Sequence, residues 1–113
     1  MKWIAAFACL SLLVACSHSP RATGSKDAVQ TVLQLAPSAE NPRNSEGDFI
    51  RLKNNDLLFV YTHFTAGAAD EATAHLAQRL SHDQGKSWTQ DDLVLVAREG
   101  AMNVMSVSLE RIT

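Results

Sequence analysis

The sequence is poor in cysteine, has no excess of positive charge and lacks an apolar run long enough to cross a membrane. Its 113 residues hold two cysteines and a net charge of −2, so there is no electrostatic basis for binding nucleic acid. The longest apolar run, Trp3 to Ala15, is shorter than the about 20 residues that a transmembrane helix needs. His18, His75 and His82 show no metal-ligand spacing, and glycine-rich phosphate loops and serine nucleophile elbows are absent. We therefore expect no metal and no cofactor.

The short apolar run is typical of an export signal. Lys2 supplies the positive charge before the run, and Leu13-Val14-Ala15-Cys16 at its end resembles the bacterial lipobox. The resemblance implies cleavage before Cys16, lipidation of Cys16, and an exported lipoprotein anchored to a bacterial cell-envelope membrane, in the periplasm or at the cell surface. The alternative is an ordinary secretory signal with a chance cysteine. Cleavage would remove Cys9, so Cys16 would have no partner for an intrachain disulfide or a zinc ribbon.

Composition divides the chain into a signal, a tether and a domain. Residues 1–15 are the signal, residues 16–27 are a polar tether with Pro and Gly, and residues 28–113 are the domain. Alternation and β-branched or aromatic content predict that the domain is all-β.

The predicted strands follow one another along the domain. There are six predicted segments. The second to the fifth form a four-stranded meander, and the sixth has no partner within the chain. A helix remains an alternative for the first and fourth segments of the list. The segments are Ala28–Leu35, Phe49–Leu52, Leu57–Phe64, Ala72–Leu80, Trp88–Ala97 and Met102–Leu109.

One motif separates the fourth and fifth segments, Ser81-x-Asp83-x-Gly85-x-x-Trp88 followed by Thr89. Asp83 is suited to accept hydrogen bonds from loop N–H groups, and Gly85 supplies a positive φ. Trp88 starts the next strand and places apolar surface under the turn. The pattern is that of an Asp-box hairpin. The alternative is an ordinary Asp-x-Gly hairpin that precedes a tryptophan.

From about Pro42 to Leu109 the chain resembles bacterial sialidase-type proteins. The resemblance rests on the Asp-box and on Asn41–Leu52, Leu57–Phe64 and Arg98–Leu109. Such proteins are six-bladed β-propellers, which implies that residues 28–113 are the first four-stranded blade plus one strand of the next. The chain would then be the truncated N-terminal part of an exported glycoside hydrolase that removes terminal sialic acid or a related sugar. We expect this part to be inactive alone.

The resemblance also implies roles for individual residues. The Asp-box residues are structural, because in this family the motif lies away from the active site. Asp70 matches the acid/base aspartate, which lies in the loop between the second and third strands of the first blade. An acid/base carboxyl must be partly desolvated or near another negative charge. The alternative is a solvated loop aspartate.

The substrate-binding positions depart from the family pattern. The Arg-Ile-Pro segment that supplies the first arginine of the sialidase triad is absent; Arg43 lies nearby and suits bidentate carboxylate binding. Glu46 is a candidate for binding sugar hydroxyls, unless it forms a surface salt bridge with Arg43. His63 is a further candidate, although such a histidine more often has a local partner in its strand. Because of this departure, the ligand is either sialic acid or a related sugar, and binding without hydrolysis stays open as an alternative.

Two other classes stay open. One is a β-propeller lipoprotein that binds a glycan or a partner protein without chemistry. The other is a complete small lipoprotein domain whose last strand pairs in an oligomer.

Overall fold

The computed structural model describes residues 29–100 and 102–112, which contain one four-stranded antiparallel sheet in the order β1-β2-β3-β4. The strands are β1 (Arg43–Arg51), β2 (Leu57–Phe64), β3 (Ala74–Ser81) and β4 (Leu93–Val96). The prediction of an all-β domain with a four-stranded meander is confirmed. The predicted signal, the tether and Cys16 lie outside the described residues. Within those residues no helix is long and apolar enough to cross a bilayer.

Strand β2 is the centre of the sheet and has the bounds predicted from its β-branched and aromatic content. It pairs with β3 over eight consecutive residues, from Leu57 opposite Ser81 to Phe64 opposite Ala74. This pairing settles the ambiguous fourth segment as a strand. Its alternation of polar and apolar side chains is satisfied on the two faces of the sheet, whereas a helix would have left β2 with a hydrogen-bonded neighbour on the β1 side only.

The sheet has two different faces, because side chains alternate along each strand. The aromatic face carries Phe59, Tyr61 and His63 of β2, with His75 and Arg79 of β3. The opposite face, here called the core face, carries the fully buried side chains of Val60, Thr62 and Phe64. Large aromatic and β-branched side chains in the middle strand therefore supply apolar surface to both sides of the sheet.

Two strand boundaries differ from the prediction by more than two residues, the starts of β1 and β4. β1 begins six residues earlier than Phe49, because a bulge between Ser45 and Asp48 lets the chain pair with β2 across an otherwise unfavourable Glu-Gly step. Glu46 takes a positive φ of 45° there. Gly47 is needed because a Cβ at this position would lie 2.6 Å from the Phe59 ring. β4 begins at Leu93 and not at Trp88, because the loop after β3 is longer than a tight hairpin.

The prediction of a strand or helix at Ala28–Leu35 is wrong for the part described, Val29–Leu35, which has no regular structure. The segment lies against the aromatic face and lines a groove with Phe49, Phe59 and Trp88. On a sheet face it has no neighbouring strand with which to form a hydrogen-bond ladder. Leu33 and Leu35, on the parity predicted to be apolar, are its half-buried residues.

The prediction of a fifth strand at Met102–Leu109 is also wrong in the described residues, which hold only an isolated parallel bridge from Asn103 to Ala74. This segment crosses the core face. The Ser106 N–H donates to Thr62 Oγ1 (3.2 Å) and the Leu109 N–H donates to Asp48 Oδ2 (2.9 Å). Side chains take the place of ladder carbonyls, and Ser106 breaks the extended path with a φ of 70°.

Candidate functional site

The Asp-box loop closes one end of the sheet through hydrogen bonds from its own side chains. Asp83 Oδ1 accepts from the Ser87 N–H (2.8 Å) and Asp83 Oδ2 accepts from the Ser87 hydroxyl (2.6 Å). Ser81, which is buried, donates to Asp83 (2.9 Å) and accepts from the Gly85 N–H (2.7 Å). The predicted role of Asp83 as an acceptor of loop N–H groups is confirmed.

Gly85 lies as the motif predicts, and Trp88 lies close to it under the turn. The prediction that Trp88 starts the next strand is wrong, because β4 begins at Leu93. Gly85 has a φ of 90°, and a Cβ there would lie 3.4 Å from Leu57. Trp88 meets the Phe59 ring edge-on, with centroids 6.1 Å apart. The hydrogen bonds from Ser87, followed by that from Ser81, lower the pKa of Asp83 to about 2. The carboxylate is therefore ionised, as an acceptor of several hydrogen bonds must be.

Arg43 and Asp70 meet at the other end of the sheet. The antiparallel register places Phe64 opposite Arg43 and Ala74, far along the strands from the Asp-box. Arg43 Nη1 donates to Asp70 Oδ1 at 2.6 Å and to the Ala68 carbonyl at 2.9 Å. The guanidinium carbon lies 4.6 Å from the centroid of the Phe64 ring. Two of the residues singled out in the sequence thus form one ion pair.

The surroundings of Asp70 differ from those expected of a general acid. Its side chain is 76% exposed, and its charged neighbour is the cation of Arg43. The burial expected of a general acid is therefore not provided at Asp70. Asn103 fixes the loop by donating to the Asp70 carbonyl (2.7 Å) and the Ala72 carbonyl (3.0 Å). The loop is therefore held in place while its carboxylate faces solvent.

Glu46 and His63 do not join this pair. Glu46 accepts a hydrogen bond from the Ser106 hydroxyl (2.9 Å), so the salt bridge with Arg43 considered from the sequence is not formed. His63 lies on the aromatic face, whereas Arg43 projects from the core face with Phe64. The structure therefore gathers Arg43 and Asp70 and leaves Glu46 and His63 apart from them.

His63 belongs to a polar cluster that the sequence analysis missed, here called the Asp92 cluster. Asp92 accepts hydrogen bonds from the Tyr61 hydroxyl and from His63 Nδ1 (3.0 Å), and its Oδ1 lies 2.5 Å from Arg79 Nη2. The His75 ring stacks on that of His63 at 4.7 Å. Arg79 also donates to the Thr89 carbonyl at 2.5 Å, which ties β3 to the Asp-box loop.

Burial shifts the pKa values of several groups in this cluster. It opposes the charged form of Asp92, but the Tyr61 hydroxyl and the Arg79 cation outweigh it and hold the pKa of Asp92 below its ordinary value. Burial, together with the neighbouring His63, lowers the pKa of His75. Burial and the hydrogen bond to Asp92 raise the pKa of Tyr61 to about 12.

Tyr61 offers a clean test, because it is the only tyrosine in the chain. We expect its phenolate absorbance to appear with a midpoint near 12 in the folded chain and near 10 in concentrated guanidinium chloride. The folded state holds the proton more tightly, so the associated stability is complete below pH 10 and is lost as the pH rises toward 12. An ultraviolet pH titration measures the phenolate midpoint, and circular dichroism over the same pH range measures the loss of folded structure. A midpoint near 10 in a chain that is still folded would contradict the assignment of this hydrogen bond.

A cavity of about 340 Å³ lies beside the Asp92 cluster, under the segment before β1. His63, Arg79 and Asp92 line one side, and residues between Gln34 and Asn41 line the other. Asn41 secures that segment by donating from Nδ2 to the carbonyls of Arg43 and Phe64, both at 3.0 Å. Small-molecule sites occupy about 300–1,000 Å³, so this cavity is at the low end of that range.

The sequence held a signal for the missed cluster. His75 and Arg79 occupy alternate positions of β3 that share a face with Tyr61 and His63. Cross-strand pairing therefore predicts that these polar side chains lie next to one another. The position of Asp92 was not foreseeable, because it depends on the path of the Asp-box loop. Within the described residues no group of three or more His, Cys, Asp or Glu side chains is arranged to hold a metal ion.

Comparison with known proteins finds no matching family model, no matching curated protein and no matching solved structure.

Proposed function

We propose that this sheet is a blade of a sialidase-type β-propeller that takes terminal sialic acid or a related acidic sugar, in an exported lipoprotein. One observation carries the proposal: a hydrogen-bonded Asp-box hairpin closes one end of a four-stranded meander, and an arginine and an aspartate meet at the other end. This is the arrangement that the resemblance implies, with the structural motif away from the substrate.

The Arg43–Asp70 pair supplies chemistry suited to such a sugar. A guanidinium presents N–H donors in a planar fork that matches a carboxylate, and Arg43 keeps part of its side chain accessible, at 30% exposure. A substrate carboxylate that displaces Asp70 from the arginine would free the aspartate to act next to the glycosidic oxygen. Neighbouring blades would supply the tyrosine nucleophile, its glutamate and the remaining arginines that the family uses.

The exposed ion pair also favours a second candidate, a propeller that binds an acidic glycan without hydrolysing it. Asp70 is 76% exposed and paired with a cation, whereas a general acid needs a carboxyl held protonated by burial or by a neighbouring negative charge. In this case Arg43 would bind the sugar carboxylate and Asp70 would orient the arginine.

The two candidates separate in a hydrolysis assay on the product of the complete reading frame. If Asp70 is the acid/base, the Asp70→Asn variant should turn over a fluorogenic sialoside about 10²- to 10⁴-fold more slowly. The Glu71→Gln variant, which neutralises the next carboxylate in the same loop, should keep the wild-type rate.

Binding without turnover would instead favour the second candidate. In that case a sialoside should bind saturably to the wild type and more weakly to Arg43→Ala, as measured by calorimetry. A wild-type protein that neither hydrolyses nor binds acidic sugars would refute both candidates. The chain of 113 residues alone should show no turnover, because most of the expected catalytic groups are not among its residues.

A further inference from the structure

Three polar side chains lie side by side across β1, β2 and β3 on the aromatic face, and we call them the histidine row. Asn44 lies opposite His63 in the β1–β2 register, and His63 lies opposite His75 in the β2–β3 register. The two imidazole rings stack with centroids 4.7 Å apart and planes inclined by 17°. Side chains directly opposite one another on neighbouring strands interact, so a charge on either ring acts on the other.

The hydrogen bonds of His63 depend on its protonation. His63 Nδ1 lies 3.0 Å from Asp92 Oδ2, so the neutral ring presents Nδ1–H to the carboxylate and uses its second nitrogen as an acceptor. Protonation turns that second nitrogen into a donor. Asn44 Oδ1, at the opposite register position, is a buried acceptor without a hydrogen-bond partner among the described residues. A protonated His63 therefore has an acceptor in the neighbouring strand β1.

Asn44 also holds the segment that lies over this face. Residues 30–41, here called the cover segment, line the apolar groove together with Trp88 and the cavity together with His63. Asn44 Nδ2 donates to the Leu35 carbonyl at 3.4 Å, a long bond that ties the groove-lining half of the segment to the sheet. Asn41 ties the other half by two bonds of 3.0 Å. The groove-lining half is therefore the more weakly held.

Burial, followed by the neighbouring His63, lowers the pKa of His75 from its ordinary value of 6.5. The fold thus favours the uncharged ring, and the stability linked to His75 is complete above pH 6.5 and is lost as the pH falls through the lower folded value. Asp92 is the counter-charge at the row, but Arg79 Nη2, 2.5 Å away, already shares it. The other titratable groups described at this end of the sheet are Tyr61, Glu40 in the cavity wall, the Arg43–Asp70 pair, and the exposed Glu71, Arg98 and Glu99.

We propose that the histidine row is an acid-operated latch for the cover segment. With neutral rings, His63 and His75 stack and Asn44 holds the Leu35 carbonyl. In acid, the two charged rings repel each other, and His63 turns its new N–H to Asn44 Oδ1. The Asn44 amide then swings away from Leu35, and the groove-lining half of the cover segment leaves the aromatic face. This inference does not rest on the proposed function.

Trp88 reports the position of the cover segment, because its ring lies in the groove that the segment lines. The chain has two tryptophans, so the Trp3→Phe variant of the full chain leaves Trp88 as the sole emitter. We expect its acrylamide quenching constant to rise about twofold or more, reversibly, between about pH 7.5 and about pH 5, the range in which histidine gains its charge. The circular dichroism of the sheet should stay constant over this range.

Variants in the same background assign the effect to the row. His63→Gln should abolish the rise, and His75→Phe, which keeps a stacking ring without a charge, should give less than half of it. Asn44→Ala should show the high quenching constant already at neutral pH. The matched control is His82→Gln, which removes an exposed imidazole that pairs with Asp56 and should behave like the parent.

Nuclear magnetic resonance adds a direct readout of the coupling between the rings. The pKa of His75 should rise in His63→Gln, because a neighbour that lowers it is gone. An unchanged value would show that the rings do not interact. The latch is also refuted by a quenching constant that does not change with pH, by a rise that persists in His63→Gln, or by a rise that accompanies loss of the circular dichroism signal, which would mean unfolding.

Discussion

Replacing Phe64 with alanine should lower the free energy of unfolding by about 3–5 kcal/mol. The ring is fully buried on the core face, in the last position of the central strand. It packs beneath the Arg43 guanidinium, and the chain that crosses this face holds no other aromatic side chain to fill the space. A cavity would therefore remain, and lost contacts add to the lost burial.

Phe49→Ala is the matched control for this prediction. Phe49 is an aromatic residue of the same sheet, but it lies on the aromatic face and is 65% exposed. Its truncation should cost less than about 1 kcal/mol. Because domains have only about 5–15 kcal/mol of stability, Phe64→Leu provides a milder variant that should remain folded. Urea titrations followed by circular dichroism measure all three, and equal losses for the two alanine variants would contradict the packing described here.

Replacing Asp92 with asparagine should cost about 2–3 kcal/mol. Asp92 receives hydrogen bonds from Tyr61 and His63 and neutralises Arg79. The Arg79 side chain is only 11% exposed, and its Nε already lacks a partner among the described residues. Loss of the carboxylate would leave a largely buried cation with no counter-charge, which is more costly than the loss of one hydrogen bond.

The pH dependence of stability gives this prediction a second readout. The lowered pKa of Asp92 means that its contribution is present above the pKa of the unfolded chain and is lost as the pH falls through the lower folded value. Asp92→Asn should therefore remove part of the acid-induced loss of stability. The control Glu99→Gln changes an exposed carboxylate beyond β4 and should leave the curve within about 0.5 kcal/mol of wild type. The prediction is wrong if both variants follow the same curve.

The sequence predicted the sheet where local chemistry determines it. The Asp-box specifies one of the turns, and β-branched and aromatic content defines β2. The Asp-box is a self-contained unit, because Asp83 bonds to groups within four residues of itself. Such short-range bonds leave a recognisable spacing in the sequence.

The segments that flank the sheet could not be predicted in the same way. Val29–Leu35 and Met102–Leu109 both alternate like strands, but alternation reports only that one side is apolar and not whether a ladder partner exists. Both segments bury their apolar side on a face of the sheet. The interaction of Ser106 with Thr62 joins residues 44 positions apart, and no local pattern records it.

The candidate site was predictable to the extent that it depends on topology. An antiparallel meander brings the start of β1 next to the loop between β2 and β3, so the meeting of Arg43 with Asp70 follows from the strand order. The separation of His63 from that pair follows from side-chain alternation, which places residues 63 and 64 on opposite faces. Glu46 lies apart from the pair because the bulge in β1 turns its side chain toward Ser106.

The two flanking segments lie on opposite faces of the sheet, so the polypeptide reaches the sheet along one face and departs along the other. The four strands β1 to β4 therefore form a layer between two segments of the same chain, one against each face of the sheet.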